Sequence, residues 1–77
     1  MRLSKLNIGK SAKVIRIEDD IFRTKLMEMG VSSDTILTVQ FKAPFRGPIA
    51  FSYNETILSI RYEDAEAIIV EPETRSA

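Results

Sequence analysis

The sequence predicts a mainly β fold: a small five-stranded barrel with one α-helix over about 20–29 and a short helical turn over about 62–66. Three observations carry this. Five short segments of alternating or β-branched apolar residues follow one another at about 8–12 residue spacing, the rhythm of small all-β domains. One longer segment, Asp20 to Gly30, has helical periodicity instead. The chain has 77 residues, enough for one domain and one compact core, since a chain of this size buries only about 60% of its unfolded surface.

Leu3, Leu6 and Ile8 are spaced apolar anchors, expected to pack across a barrel end before a turn at Gly9-Lys10. Ser11 to Ile17 alternates as a first strand. Ala12 and Val14, with Arg16 in the same phase, point one way, and Lys13, Ile15 and Ile17 the other. Glu18-Asp19-Asp20 breaks the strand and opens the helix, where Asp19 or Asp20 caps the first turn. Phe22, Leu26 and Met29, at i, i+4 and i+7, form a narrow apolar stripe. Gly30 stands where a left-handed residue ends a helix, and Val31 is expected under that end. A helix of about three turns does not persist alone in water, so the stripe must lie on the barrel.

Ser32-Ser33-Asp34 is turn chemistry. Thr35 to Phe41 is a second strand, with Leu37, Val39 and Phe41 inward and Thr38 and Gln40 outward. Ala43 to Pro48 holds two of the three prolines and is the clearest loop. Ile49, Phe51 and Tyr53 mark a third strand. Asn54-Glu55 is a hairpin turn without the favoured Asn-Gly pair. Thr56, Leu58 and Ile60 mark a fourth strand, opposite in phase to Ile57 and Ser59. Arg61 to Glu66 is a helical turn, Ala67 to Val70 a last strand, and Pro72 its end. The domain is expected to span 1–72, with 73–77 a disordered tail.

Composition narrows the chemistry. There is no Cys, which removes disulfides and thiolate metal sites and fits a reducing compartment. There is no His, which removes the commonest general base and metal ligand. Net charge is zero, so no strong field favours nucleic acid or anionic lipid. No run approaches the roughly 20 apolar residues of a membrane span, and no signal peptide is visible. The chain is expected to be cytoplasmic, without direct insertion into the membrane.

No catalytic residue, cofactor or metal site is expected. A nucleophilic serine needs an adjacent base, and none is available. Glu18/Asp19/Asp20 and Glu63/Asp64/Glu66 sit where acids commonly flank helices. The three glycines fit no phosphate-binding spacing. Small barrels often bind nucleic acid, and Phe41, Phe45, Phe51 and Tyr53 are candidate stacking residues. Three of them fall on inward strand phases, however, and a basic stripe is missing, so this is the alternative reading.

The remaining class is protein–protein contact. Aromatic and Arg residues are enriched among interface anchors, and Pro44-Phe45-Arg46 presents both types at a proline-bracketed tip. Met27 lies off the helix stripe, and Ile57 and Ile69 lie on outward strand phases. Arg61 follows the fourth strand beside Glu63 and Asp64, where a local salt bridge is expected. The candidate partner-binding residues are therefore Met27, Pro44, Phe45, Arg46 and Arg61.

The ordered set Leu3-x-x-Leu6-x-x-Gly9, Val14-x-x-Ile17, Leu26-x-x-Met29-Gly30-Val31, Ala43-Pro44, Pro48-Ile49, Ile60-Arg61 and Glu63-x-Ala65-x-x-Ile68-x-Val70 resembles the FeoA family. These are small SH3-like-barrel accessory proteins of bacterial ferrous iron transport. The resemblance runs from about Leu3 to Val70. It implies an SH3-like barrel and a partner of the FeoB type, a membrane permease with a cytosolic GTP-binding region. Recruitment to the inner face of the plasma membrane would follow through that partner. The same domain type occurs as the C-terminal part of iron-dependent repressors, so a detached regulatory module is a further alternative. The chain departs from the family pattern at Ser33-Asp34 (usually Pro-Gly), at Arg46-Gly47 (often Gly-Asp) and at Glu55 (often Gly). The last two lie in loops available to a partner.

Overall fold

A computed structural model describes residues 1–73. The strands are β1 (Ser11–Ile17), β2 (Ile36–Lys42), β3 (Ile49–Tyr53), β4 (Thr56–Ile60) and β5 (Ile68–Pro72). The helices are α1 (Asp20–Glu28) and the short α2 (Tyr62–Glu66). Leu3–Lys5, expected only as an apolar entry segment, forms a single 3-10 turn. The strands make one antiparallel sheet in the order β4-β3-β2-β1-β5, the predicted five-stranded β architecture. Pro72, expected to end β5, is its last residue and lies opposite Ala12. Glu73 donates its N–H to the Ser11 carbonyl at 2.9 Å. The rest of the tail expected over 73–77 lies outside the described residues.

The core is the concave side of the bent sheet. Ala12 and Val14 of β1, Leu37 and Val39 of β2, Ile49, Phe51 and Tyr53 of β3, and Ile68 and Val70 of β5 are all buried. Leu3, Leu6, Leu26, Val31 and Ala65 close this space from the connecting segments. Ile8, the third expected anchor, is instead 55% exposed. The 3-10 turn delivers Leu3 and Leu6 to the core, and Ile8 falls in the turn that leads to β1.

Two bulges account for the strand residues whose expected direction fails. In β1, Val14 faces Val70 and Arg16 faces Ile69, so one extra residue is inserted and the side-chain phase flips. Ile17 becomes buried and Arg16 exposed, the reverse of strict alternation. In β2, Val39 faces Phe51 and Phe41 faces Ala50. The inserted residue turns Phe41 out, where it is 55% exposed, and brings Lys42 toward the core end. Lys42 Nζ donates to the carbonyls of Ser4 (2.8 Å) and Leu6 (3.3 Å), tying the 3-10 turn to the sheet. Period-two alternation carries no mark of either insertion.

α1 starts at Asp19, whose Oδ1 accepts the Phe22 N–H at 2.8 Å. It ends in a Schellman motif. The Gly30 N–H reaches the Met27 carbonyl (3.0 Å) and the Val31 N–H the Leu26 carbonyl (2.8 Å), with Gly30 at φ +92°. Leu26 is buried and Phe22 packs half-buried against the core, as the stripe predicts. Met29 does not join them. It is 53% exposed because the helix unwinds at this residue, and Val31 takes the inward place. The Met29 carbonyl is instead bound by the Tyr53 hydroxyl at 2.6 Å, which pins the helix end to β3.

The outer edge of β5 is covered by the chain start. Met1 and Val70 exchange backbone bonds at 2.9 and 2.7 Å, and Arg2 bridges Ile69. Arg2 Nη1 then reaches Glu18 Oε1 (2.8 Å) and the Glu66 carbonyl (2.7 Å). Ile69, expected outward, is only half-exposed beneath this segment.

Candidate partner-binding surface

The loop Ala43 to Pro48 is a closed structure, not a slack connection. The Ala43 N–H donates to the Pro48 carbonyl at 2.9 Å, and the Gly47 N–H to the Pro44 carbonyl at 3.1 Å. Phe45 and Arg46, the two central residues of the inner turn, both have positive φ, +59° and +58°. That is the type I′ geometry, which favours Asn and Gly. An L residue in this region is disfavoured by roughly 1–2 kcal/mol, so two in succession are a local strain held by the surrounding bonds. Gly47 has a steric reason to be glycine. A Cβ there would stand 2.7 Å from Ala43 Cβ and 3.0 Å from the Pro44 carbonyl oxygen.

This turn sends its two large side chains in different directions. Phe45 is 99% exposed. It does not fold back over the barrel. Arg46 lies against the protein, its guanidinium carbon 5.6 Å from the centroid of the Tyr62 ring, within cation–π range. Tyr62 itself packs on the core at the start of α2. Sequence reasoning missed Tyr62. The available signal was an aromatic residue at the head of an otherwise polar helical turn.

Arg61, the residue before Tyr62, makes the expected local bridge. Its Nε and Nη2 contact the two carboxylate oxygens of Asp64 at 3.2 and 3.3 Å, three residues on. The hydrogen bond to Asp64 raises the Arg61 pKa further. Glu63, the other acid named as a neighbour, adds only a longer-range attraction. Arg61 also lines a shallow groove of about 290 Å³ with Ile21, Phe22 and Lys25 of α1.

Pro44, Phe45 and Arg46 therefore share one end of the molecule, and the Arg46–Tyr62 contact brings Arg61 into their neighbourhood. Met27 stands apart. It is 56% exposed and borders a separate groove of about 240 Å³ with Arg16, Arg23 and Ser33. Among the described residues, no group of three acidic side chains converges on one point. No helix among them is long and apolar enough to cross a membrane.

Comparison with known proteins places these features. The Fe(2+) transport protein A/Fe(2+) transporter FeoB fusion protein of Porphyromonas gingivalis is 39% identical over 72 residues. That alignment takes in 92% of this chain but only 8% of the fusion protein. The solution structure of FeoA from Chlorobium tepidum superposes with a TM-score of 0.87 at 33% identity, over 94% of this chain and 70% of that one. FeoA from Stenotrophomonas maltophilia, described as an SH3 domain protein, superposes with a TM-score of 0.80 at 25% identity, over 92% and 89% of the two chains. A manganese-dependent transcriptional repressor shares the fold alone, at 24% identity over 95% of this chain and 41% of that one, with a TM-score of 0.84. The family model for the FeoA domain matches residues 1–72, and with the bent five-stranded SH3-like sheet, the chain belongs to the FeoA family.

Proposed function

We propose that this chain is a non-enzymatic, cytoplasmic accessory protein of ferrous iron uptake, acting by contact with a permease of the FeoB type. The observation that carries the reading is the relative in which a segment like this one is joined in a single polypeptide to an Fe(2+) transporter. Covalent fusion keeps two domains at high effective concentration, which is useful when they act on each other.

The contact surface is the end of the molecule built by Pro44, Phe45, Arg46 and Arg61. Phe45 is an aromatic side chain held away from the protein by a hydrogen-bonded turn, so little entropy is lost when it enters a partner's pocket. Arg46 acts as a prop on Tyr62. The exposed part of Arg61 supplies a rim charge.

The test is titration of this chain onto the cytosolic region of the FeoB protein from the same host. Phe45→Ala is expected to weaken binding at least about tenfold, the scale of an aromatic anchor. Far-UV circular dichroism should stay unchanged. Full affinity in Phe45→Ala would remove the loop from the interface, and no binding by the unaltered chain would remove the proposed partner.

A further inference from the structure

β4 is an edge strand of the sheet. Among the described residues, no backbone group outside β3 pairs with it. Natural sheets protect such edges with charged side chains, Pro or a bulge. Thr56-Ile57-Leu58-Ser59-Ile60 has no charge and no Pro, and its pairing with β3 runs without a register shift. The hairpin sets which backbone groups are free. Tyr53 and Thr56 flank a two-residue turn, so they form a hydrogen-bonded pair. Thr56, Leu58 and Ile60 therefore direct their N–H and C=O at β3, while Ile57 and Ser59 direct theirs outward.

The side chains along this edge are equally unfinished. Ile57 is 69% exposed on the solvent side of the sheet, opposite Ser52 of β3, with Ala50 and Phe41 diagonally beyond it. Leu58 faces the core but is only half-buried, since no strand covers its outer flank. Glu55 precedes the strand and Arg61 follows it.

These features select their own occupant. An added strand that suits β4 is extended, uncharged in its centre, and carries a cation opposite Glu55 and an anion opposite Arg61, whose guanidinium bridges Asp64 yet stays exposed. β4 itself, run antiparallel, meets all three conditions. With Leu58 opposite Leu58 of the second copy, Ile57 pairs with Ser59 of the second copy through the free backbone groups. In the same register Glu55 falls opposite Arg61 of the second copy, twice by symmetry. A parallel arrangement in register would set Glu55 against Glu55 and lose the charge match. We infer that two copies of this chain associate through β4 about a two-fold axis, joining their sheets into one continuous ten-stranded sheet. The shared edge is short, so the dimer is weak and reversible. This inference does not depend on the iron-transport reading. The pairing leaves the loop tip at Phe45 free but shares Arg61 with the rim of the proposed partner surface.

Sedimentation equilibrium on the full chain tests it, over protein concentrations up to about 1 mM, where a Kd of that size corresponds to roughly 4 kcal/mol. A reversible monomer–dimer equilibrium is expected. Ser59→Pro deletes an outward N–H that β3 does not use, a place where an edge strand tolerates proline. It should abolish the dimer while leaving the circular dichroism spectrum unchanged. Glu55→Arg and Arg61→Glu should each shift the equilibrium toward monomer, and the double variant should restore it. Slowed amide exchange at Ile57 and Ser59 with rising concentration gives a readout that does not rely on variants. A chain that stays monomeric throughout overturns the inference and leaves the edge to a strand of another protein. A dimer indifferent to both Ser59→Pro and the charge swap overturns it as well.

Discussion

β5 and β4 are both outermost strands, and they differ in what stands beyond them. Beyond β5 lie Met1 and Arg2, which exchange backbone bonds with Val70 and bridge Ile69, and a guanidinium that binds Glu18 and the Glu66 carbonyl. Beyond β4 the described chain places nothing. The β1–β5 ladder behind the covered edge also contains one of the two bulges, at Val14/Arg16 of β1, whereas the β3–β4 ladder is regular. A fold of this size can finish one edge from its own terminus. Among the described residues the other edge remains a row of unpaired backbone donors and acceptors on a regularly paired strand, and open edges are what sheets use to recruit another strand.

The largest effect should come from the anchor that seats the covering segment. Leu3 is fully buried, so Leu3→Ala should cost about 2–5 kcal/mol, the range for truncating a core leucine. For a domain this small that lowers Tm by roughly 10 °C or more. Ile57→Ala, on the bare edge, should stay within about 0.5 kcal/mol of the parent in dilute solution. Thermal unfolding of both variants at low protein concentration checks the contrast. Equal losses at the two positions would mean that the two edges are not different in kind.

A smaller effect of opposite sign is expected at the turn leading into β4. Asn54 and Glu55 have φ of +46° and +66°. Asn tolerates this region, but Glu has no means of favouring it. Glu55→Gly should raise stability by about 1 kcal/mol, after allowing for the greater freedom of glycine in the unfolded chain. Urea unfolding in dilute solution measures it. The same change removes one charge from the proposed β4 pairing, so a more stable monomer that dimerises less would separate the two roles of this residue. A destabilised Glu55→Gly would show that the Glu side chain contributes to the hairpin in a way the backbone does not reveal.

How much of this was legible in the sequence follows from the range of each signal. Element types and most boundaries were readable because alternation, helical spacing, the Asp19 cap and the Gly30 stop are local patterns. The directions of Arg16, Ile17 and Phe41 were not, because a bulge is a property of two paired strands and leaves both sequences alternating. Met29 fits the helical stripe by spacing, yet the helix ends one residue earlier and the stripe is completed by Val31. Among the candidate partner residues, the exposure of Phe45 depends on a turn with two left-handed residues that lacks the usual Asn-Gly signature. The resting place of Arg46 on Tyr62 joins residues sixteen apart in sequence, which no local pattern encodes. The covering of β5 by Met1 and Arg2 joins residues 69 apart in sequence, beyond the reach of any local pattern.

The smallest effect concerns the charge that tethers the covering segment, and its sign follows from the direction of one pKa. The hydrogen bond from Arg2 holds the Glu18 carboxyl below the usual carboxylate range, with help from the nearby charge of Arg16. In the unfolded chain Glu18 titrates normally. A depressed folded pKa means that the native state favours the ionised form, so this stabilisation is complete above the ordinary carboxylate pKa. It is lost as pH falls through the folded value. Arg2, whose pKa Glu18 raises, stays charged throughout this window and adds no pH dependence of its own. Both side chains are solvent-exposed, so the contribution is modest and should shrink in salt. Comparing Tm against pH for the parent and Glu18→Gln gives the check. The parent should lose its advantage on acidification while Glu18→Gln, which has no proton to bind there, changes less. Amide exchange at Val70 should quicken in step, because its N–H is bonded to Met1. If acid erased the Tm difference without loosening Val70, the ion pair would be acting on the loop after β1 rather than on the edge cover.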